Sequence, residues 1–110
     1  MTEQQLVEQT QAIADHYGLA NQMSIAQEEC AELIQALSKL RRAGEWPTDS
    51  PRRRVQYIAA RNLVSEEMAD VINLISQLTY LLGNDAVVMN YLATKLARTL
   101  RDIEEEQHET

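Results

Sequence analysis

The sequence contains few of the residues that interrupt helices or crosslink a chain. Its 110 residues include three glycines, two prolines, one cysteine and no phenylalanine. Because glycine and proline mark most turns, their scarcity predicts long elements joined by few loops. The single cysteine, Cys30, excludes an internal disulfide, and no cluster of cysteine and histidine around it suggests zinc. We therefore expect Cys30 to be a small, buried apolar residue.

The chain also lacks an excess of basic charge and any long apolar run. Ten Lys and Arg residues stand against 17 Asp and Glu, which gives a formal net charge of −7. This balance argues against stable nucleic-acid binding, because neutralising phosphates requires a surplus of Lys and Arg. No run of 18 apolar residues occurs, and the opening MTEQQLVEQTQ lacks the basic and apolar regions of a signal peptide. We therefore expect a cytoplasmic protein that does not bind membranes.

The spacing of the apolar residues predicts an all-α protein. Apolar residues recur every three or four positions, and no strand-like alternation competes with this period. We expect one domain over residues 1–110, a four-helix bundle-like module with helices at about 3–17, 22–42, 51–82 and 85–105 and a frayed tail EEEQHET. A bundle of this size can bury only part of four apolar stripes, so a homodimer or homotetramer is expected.

Residues typical of helix ends support these boundaries. Thr2 and Gln5 have the spacing of a capping box at the start of the first helix, and Gly18 is expected to end it. Ser50 followed by Pro51 is typical of an N-cap and first helical position, so the third helix should begin there, with or without an interruption. The segment GEWPTDSPRRR, which overlaps this start, is expected to be a loop.

Two of the predicted helices carry clusters of acidic residues. They are Glu28, Glu29 and Glu32 in AQEECAELIQAL, and Glu66, Glu67 and Asp70 in VSEEMADVINLI. At about 100° per residue, the members of the pair Glu29 and Glu32 lie about 60° apart, as do Glu67 and Asp70. Solvated surface carboxylates are the commonest role of such residues, and this interpretation suffices for Glu28 and Glu66.

Glu67 does not fit that surface interpretation. It falls inside an apolar stripe made by Val64, Val71, Leu74 and Leu78. On the second helix, Glu29 and Glu32 share a side with Ile25 and Ala36, which indicates a face covered by another helix. The sequence therefore predicts that four carboxylates converge between two helices.

Converging carboxylates require a cation. Repulsion and burial would raise their pKa values, and no basic residue lies within helical reach to pair with them. A set of oxygen ligands favours a hard ion such as Mg²⁺ or Mn²⁺, and Mg²⁺ commonly shares its coordination with phosphate oxygens. This chemistry indicates phosphoryl transfer.

The acidic segments carry a family resemblance. EECAE (28–32), followed on a later helix by EMAD (67–70), resembles the EExxE and ExxD motifs of the MazG-like, all-α nucleoside triphosphate pyrophosphohydrolases. The resemblance covers roughly residues 20–105. It implies that Glu29, Glu32, Glu67 and Asp70 bind the metal, and that the products are a nucleoside monophosphate and pyrophosphate, in keeping with removal of unwanted nucleotides. The 34 residues between Glu32 and Glu67 exceed the gap in many relatives, which leaves the loop geometry and the base specificity open.

Two further groups complete the predicted site. Glu28 or Glu29 can take the proton from the attacking water, and the sequence does not choose between them. Asn73, one turn after Asp70, can contact the sugar or a metal-bound water, or make a polar contact between helices.

Basic and aromatic residues are candidates for contacts with substrate. Lys95 and Arg98 on the fourth helix can hold the departing pyrophosphate, although Arg98 is also spaced for a surface ion pair with Asp102. Trp46 can stack on a nucleobase or pack its loop against the helices. The run Arg52–Arg54 can attract a triphosphate or RNA, or be a solvated helix start.

Two alternative functions remain open from the sequence. One is a narrower enzyme, a dimeric dUTP or dCTP pyrophosphatase, whose sites also combine acidic helices. The other is a non-catalytic helical adaptor whose acidic faces bind a basic partner.

Overall fold

The computed structural model describes residues 1–109, which form four helices and no strand. They are α1 (Glu3–Tyr17), α2 (Leu19–Ala43), α3 (Pro51–Leu82) and α4 (Asp85–Glu109). The predicted all-α class is confirmed. α2 begins at Leu19, three residues before the expected start, because Gly18 alone separates it from α1.

The predicted helix ends are formed as expected at three places. The Thr2 hydroxyl accepts a hydrogen bond from the Gln5 N–H at 3.1 Å, and the Gln5 side chain accepts one from the Thr2 N–H at 2.9 Å. Gly18 has φ 81°, a conformation that residues with a Cβ rarely adopt, and it ends α1. The Ser50 hydroxyl accepts from the Arg53 N–H at 3.2 Å, and α3 continues without interruption for 32 residues. The last four residues of GEWPTDSPRRR, 51–54, therefore belong to α3, and the expectation that they form a loop was wrong.

The prediction of a frayed C-terminal tail was wrong for the described residues. α4 continues as a helix through Glu109 instead of ending at Glu105. The segment EEEQH contains mainly Glu and Gln, which favour helices even without apolar contacts. His108 lies in the last turn, where a basic side chain stabilises the helix by interacting with the negative end of its dipole.

α2 and α3 form an antiparallel hairpin, and α1 packs on it, mainly against α3. The core contains a few small and branched side chains and two amides: Ala14, Ala36, Val64, Leu74, Gln22 and Gln77. Gln22 Nε2 donates to Gln77 Oε1 at 2.6 Å, which joins α2 to α3. The Tyr80 hydroxyl donates to the Asp15 carboxylate at 2.9 Å, which joins α3 to α1.

α4 stands apart from the other three helices. Gly83 ends α3 in a left-handed conformation (φ 64°, ψ 31°), and α4 starts two residues later. No α4 residue through Glu109 is buried. The radius of gyration is 18.5 Å, whereas a compact chain of this length would have about 13 Å. The expected four helices are therefore present, but only three of them pack together within one chain.

Cys30 is exposed, so the prediction that it is buried was wrong. It lies on a flank of α2, near Met23 and Ile34, that no other helix covers in residues 1–109. Within the same residues, no helix is both long enough and apolar enough to cross a membrane.

Candidate metal centre

The α2–α3 hairpin brings four carboxylates together. Glu29 and Glu32 on α2 and Glu67 and Asp70 on α3 each offer one oxygen, and these four oxygens lie within 4.8 Å of one another. The spacing of three residues within each pair places both members on one side of their helix. The predicted convergence of these four side chains is therefore observed.

Two of the four carboxylates are held away from water. Glu29, Glu67 and Asp70 are partly buried, whereas Glu32 is exposed. Glu29 Oε2 and Glu67 Oε2 are both buried, and neither has a hydrogen-bond partner in residues 1–109. A buried oxygen that has lost water and gained no donor destabilises the fold, and a bound proton or a cation at the cluster would relieve this cost.

The environment opposes ionisation of the same two residues. Burial, the largest cause, and repulsion from the negative charges of Glu32 and Asp70 together raise the pKa of Glu29 to about 7. Burial also raises the pKa of Glu67, again with repulsion from Glu32 and Asp70. A bound cation would reverse both effects, because it favours the charged form of each carboxylate.

No basic side chain of the described chain compensates the cluster. The salt bridge in residues 1–109 joins Arg53 to Asp49 at 3.4 Å, far along the sequence from the four acids. The donor set consists of carboxylate oxygens alone, which suits a hard divalent ion. Oxygens on opposite sides of one Mg²⁺ ion lie about 4.2 Å apart, so the observed spread is close to that of a single-ion site.

The acidic neighbours of the cluster remain on the surface. Glu28 and Glu66 are exposed, and neither belongs to the group of converging oxygens. This placement agrees with their interpretation as solvated carboxylates. Glu28 nevertheless directly precedes Glu29, so its role as a proton acceptor stays a prediction.

Asn73 makes a polar contact within the helical framework. Its Oδ1 accepts from Gln77 Nε2 at 3.0 Å, and Gln77 in turn bonds to Gln22. Asn73 also lines a groove shared with Leu6 and Thr10 of α1. The hydrogen bond to Gln77 lies within α3, so a polar contact of Asn73 between helices and its contact with a sugar or a metal-bound water both stay predictions.

Lys95 and Arg98 are exposed on α4, and one chain does not bring them to α2. No Cα of α4 through Glu109 comes within 8 Å of α2, which carries Glu29 and Glu32. The ion pair expected between Arg98 and Asp102 is not formed in the described residues. A role for Lys95 and Arg98 at the acid cluster therefore stays a prediction, because the fold of one chain does not bring them there.

Trp46 packs on the start of α3. Its ring meets the Tyr57 ring edge to face, with centroids 5.5 Å apart, and about half of the Trp46 side chain is exposed. Tyr57 precedes Glu67 by ten residues, or about 15 Å along a helix. The loop-packing interpretation is observed, and stacking on a nucleobase stays a prediction.

The sequence analysis missed the buried amides Gln22 and Gln77. Each lies seven residues, or two turns, from a member of the acid cluster, Gln22 from Glu29 and Gln77 from Asp70. Residues seven apart share a helix face, so this spacing was a signal that both amides face the same interface as the acids. Together they form a polar layer beside the carboxylates.

The site thus defines the chain as an all-α protein with a carboxylate centre between two antiparallel helices. Comparison with known protein families, with curated proteins and with solved structures found no match.

Proposed function

We propose that this protein is a Mg²⁺-dependent nucleoside triphosphate pyrophosphohydrolase of the MazG-like kind, which releases a nucleoside monophosphate and pyrophosphate. The observation that carries the proposal is the convergence of Glu29, Glu32, Glu67 and Asp70 with two buried oxygens that have no donor. The proposal is also supported by the order of these residues along the chain, in EECAE and then EMAD, which resembles the motifs of the MazG-like family.

The four carboxylates would hold the ion, with Mn²⁺ as an alternative to Mg²⁺. When bound, the ion supplies positive charge that balances the triphosphate and lowers the pKa of water. Glu28 or Glu29 would take the proton of the water that attacks the α-phosphorus. No residue of the site is a covalent nucleophile in this scheme, because water itself cleaves the bond to pyrophosphate.

The remaining residues would bind substrate from outside the cluster. Lys95 and Arg98 are assigned to the pyrophosphate, Asn73 to the sugar and Trp46 to the base. Because α4 does not approach α2 within one chain, Lys95 and Arg98 would reach a site only in a homodimer or homotetramer or after α4 moves. The proposed role in the cell is the removal of unwanted nucleotides.

The test is pyrophosphate release by the purified protein from a panel of nucleoside triphosphates. Activity should require Mg²⁺ or Mn²⁺ and disappear with EDTA. Glu67→Gln should abolish it, whereas Glu66→Gln, an exposed neighbour on the same helix, should retain it. Activity confined to dUTP or dCTP would narrow the assignment to that enzyme class.

Two outcomes would reject the proposal. Orthophosphate as the first product would mean a different bond is cleaved. No metal-dependent release from any triphosphate would favour the acidic helical adaptor.

A further inference from the structure

The basic residues of the chain are concentrated where residues 44–50 join α2 to α3. Residues 39–61 contain seven of the ten Lys and Arg residues and two of the 17 Asp and Glu residues, which gives this segment a net charge of +5. The rest of the chain, with three basic and 15 acidic residues, has a net charge of −12. The expectation against stable nucleic-acid binding came from the net charge of −7, whereas contact with an anion depends on the charge of the surface that meets it.

Most of these cations have no acidic partner. The ion pair of the described residues joins Arg53 to Asp49 at 3.4 Å, and both side chains are more than half exposed. Arg54 donates to the backbone carbonyls of Pro47 and Thr48, at 3.4 and 3.2 Å, which leaves its charge unbalanced. The other five are exposed and form no ion pair in residues 1–109: Lys39, Arg41, Arg42, Arg52 and Arg61. Their charges are therefore available to an anionic partner.

Three residues of this segment form a row on α3 in which an aromatic ring lies between two guanidinium groups. Arg53, Tyr57 and Arg61 follow one another at a spacing of four, which places them on one side of the helix over about 12 Å. The Trp46 ring packs against the Tyr57 ring edge to face, with centroids 5.5 Å apart. Because Trp46 is 49% exposed, a large part of its ring stays open to solvent within this row.

Arg41 of α2 lies on the same flank of the hairpin as this row. The hydrogen bond between the two buried amides sets the register of the antiparallel helices, and this register places Arg41 level with residue 58 of α3. Around α2, Arg41 lies about 20° from Cys30, and around α3, Tyr57 lies about 60° from Leu78. Cys30 and Leu78 line one groove, so Arg41 and Tyr57 share its side of the hairpin. The basic-aromatic patch defined by these positions consists of Arg41, Trp46, Arg53, Tyr57 and Arg61.

The basic-aromatic patch lies apart from the acid cluster. Arg61 lies about 180° from Asp70 around α3, so the two surfaces are on opposite sides of that helix. Tyr57 also precedes Glu67 by about 15 Å along α3. This distance exceeds the Debye length of about 8 Å at physiological ionic strength. Salt therefore screens much of the repulsion between an anion at the patch and the four carboxylates.

We propose that the basic-aromatic patch binds single-stranded nucleic acid transiently. Its guanidinium groups contact backbone phosphates through paired hydrogen bonds, and the open face of Trp46 stacks on an unpaired base. The order of cation, aromatic ring and cation along α3 matches a polymer in which phosphates and bases alternate. An acidic protein segment would use the cations but not the ring, so the half-exposed Trp46 favours nucleic acid.

The three arginines of the patch make the binding weak and dependent on salt. Non-specific binding of nucleic acid typically has a dissociation constant of roughly 1–100 µM at physiological salt. Each phosphate contact with a single strand contributes about −0.7 to the slope of log K against log salt, so three contacts give a slope of about −2. The inference does not rest on hydrolase activity. Because the proposed function assigns Trp46 to the substrate base, the tests contain EDTA and no nucleoside triphosphate, and they measure the strand alone.

The first test measures fluorescence anisotropy of labelled oligo(dT) and oligo(U). Both should bind with the expected salt slope, and the tighter of the two identifies DNA or RNA as the ligand. Arg41→Glu and Arg61→Glu should each raise the dissociation constant about fivefold or more. Arg101→Glu on α4 makes the same change of charge outside the patch and should raise it less than about twofold. No binding at about 100 µM protein, or an equal loss in all three variants, would overturn the proposal.

Trp46 reports on the stacking contact directly, because it is the only tryptophan of the chain. Oligo(dT) should quench its fluorescence over the same concentration range as the anisotropy change. Trp46→Ala should weaken binding about fivefold or more, whereas Trp46→Phe, which keeps a ring against Tyr57, should retain most of the affinity. Circular dichroism should show equal helix content in both variants. Binding without quenching, or wild-type affinity in Trp46→Ala, would refute the stacking contact and with it the proposal.

Two competitors separate single strands from other anions. Poly-glutamate of equal charge has no bases, so it should bind more weakly and leave the Trp46 fluorescence unchanged. A duplex of equal length keeps its bases paired and stacked, so it should also leave the fluorescence unchanged. Poly-glutamate that bound as tightly as the oligonucleotides would overturn the proposal in favour of an acidic protein partner. Equal quenching by the duplex would contradict stacking on an unpaired base.

Discussion

Glu29 and Glu67 face each other across the α2–α3 interface, each with an oxygen within 4.8 Å of one on the other, and each with an Oε2 that is buried without a donor. Two acids in this position repel each other unless a proton or a cation lies between them.

Glu67→Gln should affect stability and function in opposite directions. The change keeps the side-chain volume and removes a charge that is poorly solvated, so the melting temperature in EDTA should hold or rise. Stabilisation by Mg²⁺ and turnover should both fall sharply. Glu66→Gln should change neither. A lower melting temperature in EDTA together with wild-type turnover would make Glu67 a structural residue.

The metal-free protein should lose stability as the pH rises. The pKa of Glu29 is about 7 in the folded chain and about 4.5 when solvated, so the folded state binds more protons between these values. Stability from this group is complete below pH 4.5 and is lost as the pH rises through 7. Thermal melts in EDTA between pH 4 and 8 should show this loss as a falling melting temperature.

Glu29→Gln tests the assignment of that pH dependence. Without the ionisable group, the fall in melting temperature between pH 4.5 and 7 should become smaller. Exposed Glu28→Gln is the control and should keep the wild-type profile. Identical profiles for wild type and Glu29→Gln would show that another group causes the loss.

Divalent ions should stabilise the folded chain and release protons. A ligand at about 100 times its dissociation constant contributes roughly 2.7 kcal/mol to the free energy of unfolding. Thermal melts with Mg²⁺, Mn²⁺ and Ca²⁺ should show the rise, and calorimetry in two buffers should detect protons leaving the cluster near pH 7. Asp70→Asn should reduce both the rise in melting temperature and the number of protons released. If both stayed at the wild-type level, Asp70 would not be a metal ligand.

The amide pair beside the cluster should behave as a coupled unit. Gln77→Leu leaves the buried Gln22 side chain without its 2.6 Å partner and should cost about 1–3 kcal/mol of stability. Replacing both glutamines by Leu removes the unsatisfied group, so the double variant should recover much of the loss. Denaturant unfolding of the wild type, the two single variants and the double variant gives the coupling energy between the two side chains. Additive losses of stability would show that the two glutamines are not coupled.

The features that the sequence predicted correctly depend on neighbours along the chain. The capping box at Thr2 and the Ser50–Pro51 start involve residues within one turn, so their spacing determines the outcome. The four acids could be predicted because three-residue spacing fixes a common side of each helix, and Glu67 interrupts an apolar stripe. None of these features depends on how the helices are arranged against one another.

The features that could not be predicted depend on which helices touch. Cys30 lies at an apolar position of α2, yet apolar spacing does not specify whether another helix covers that flank. The separation of α4 follows from the direction in which the chain leaves Gly83, and its stripe has the same pattern whether covered or not. The hydrogen bond between Gln22 and Gln77 depends on the register of α2 against α3.

The chain distance between the two halves of the acid cluster has a consequence for folding. Glu32 and Glu67 are separated by 34 residues, so neither helix alone holds the complete set of oxygens. A slip of α3 by one turn would move its two acids about 5.4 Å along α2 and break the set. An ion that bound all four oxygens would therefore stabilise this alignment of α2 and α3 relative to one shifted by a turn.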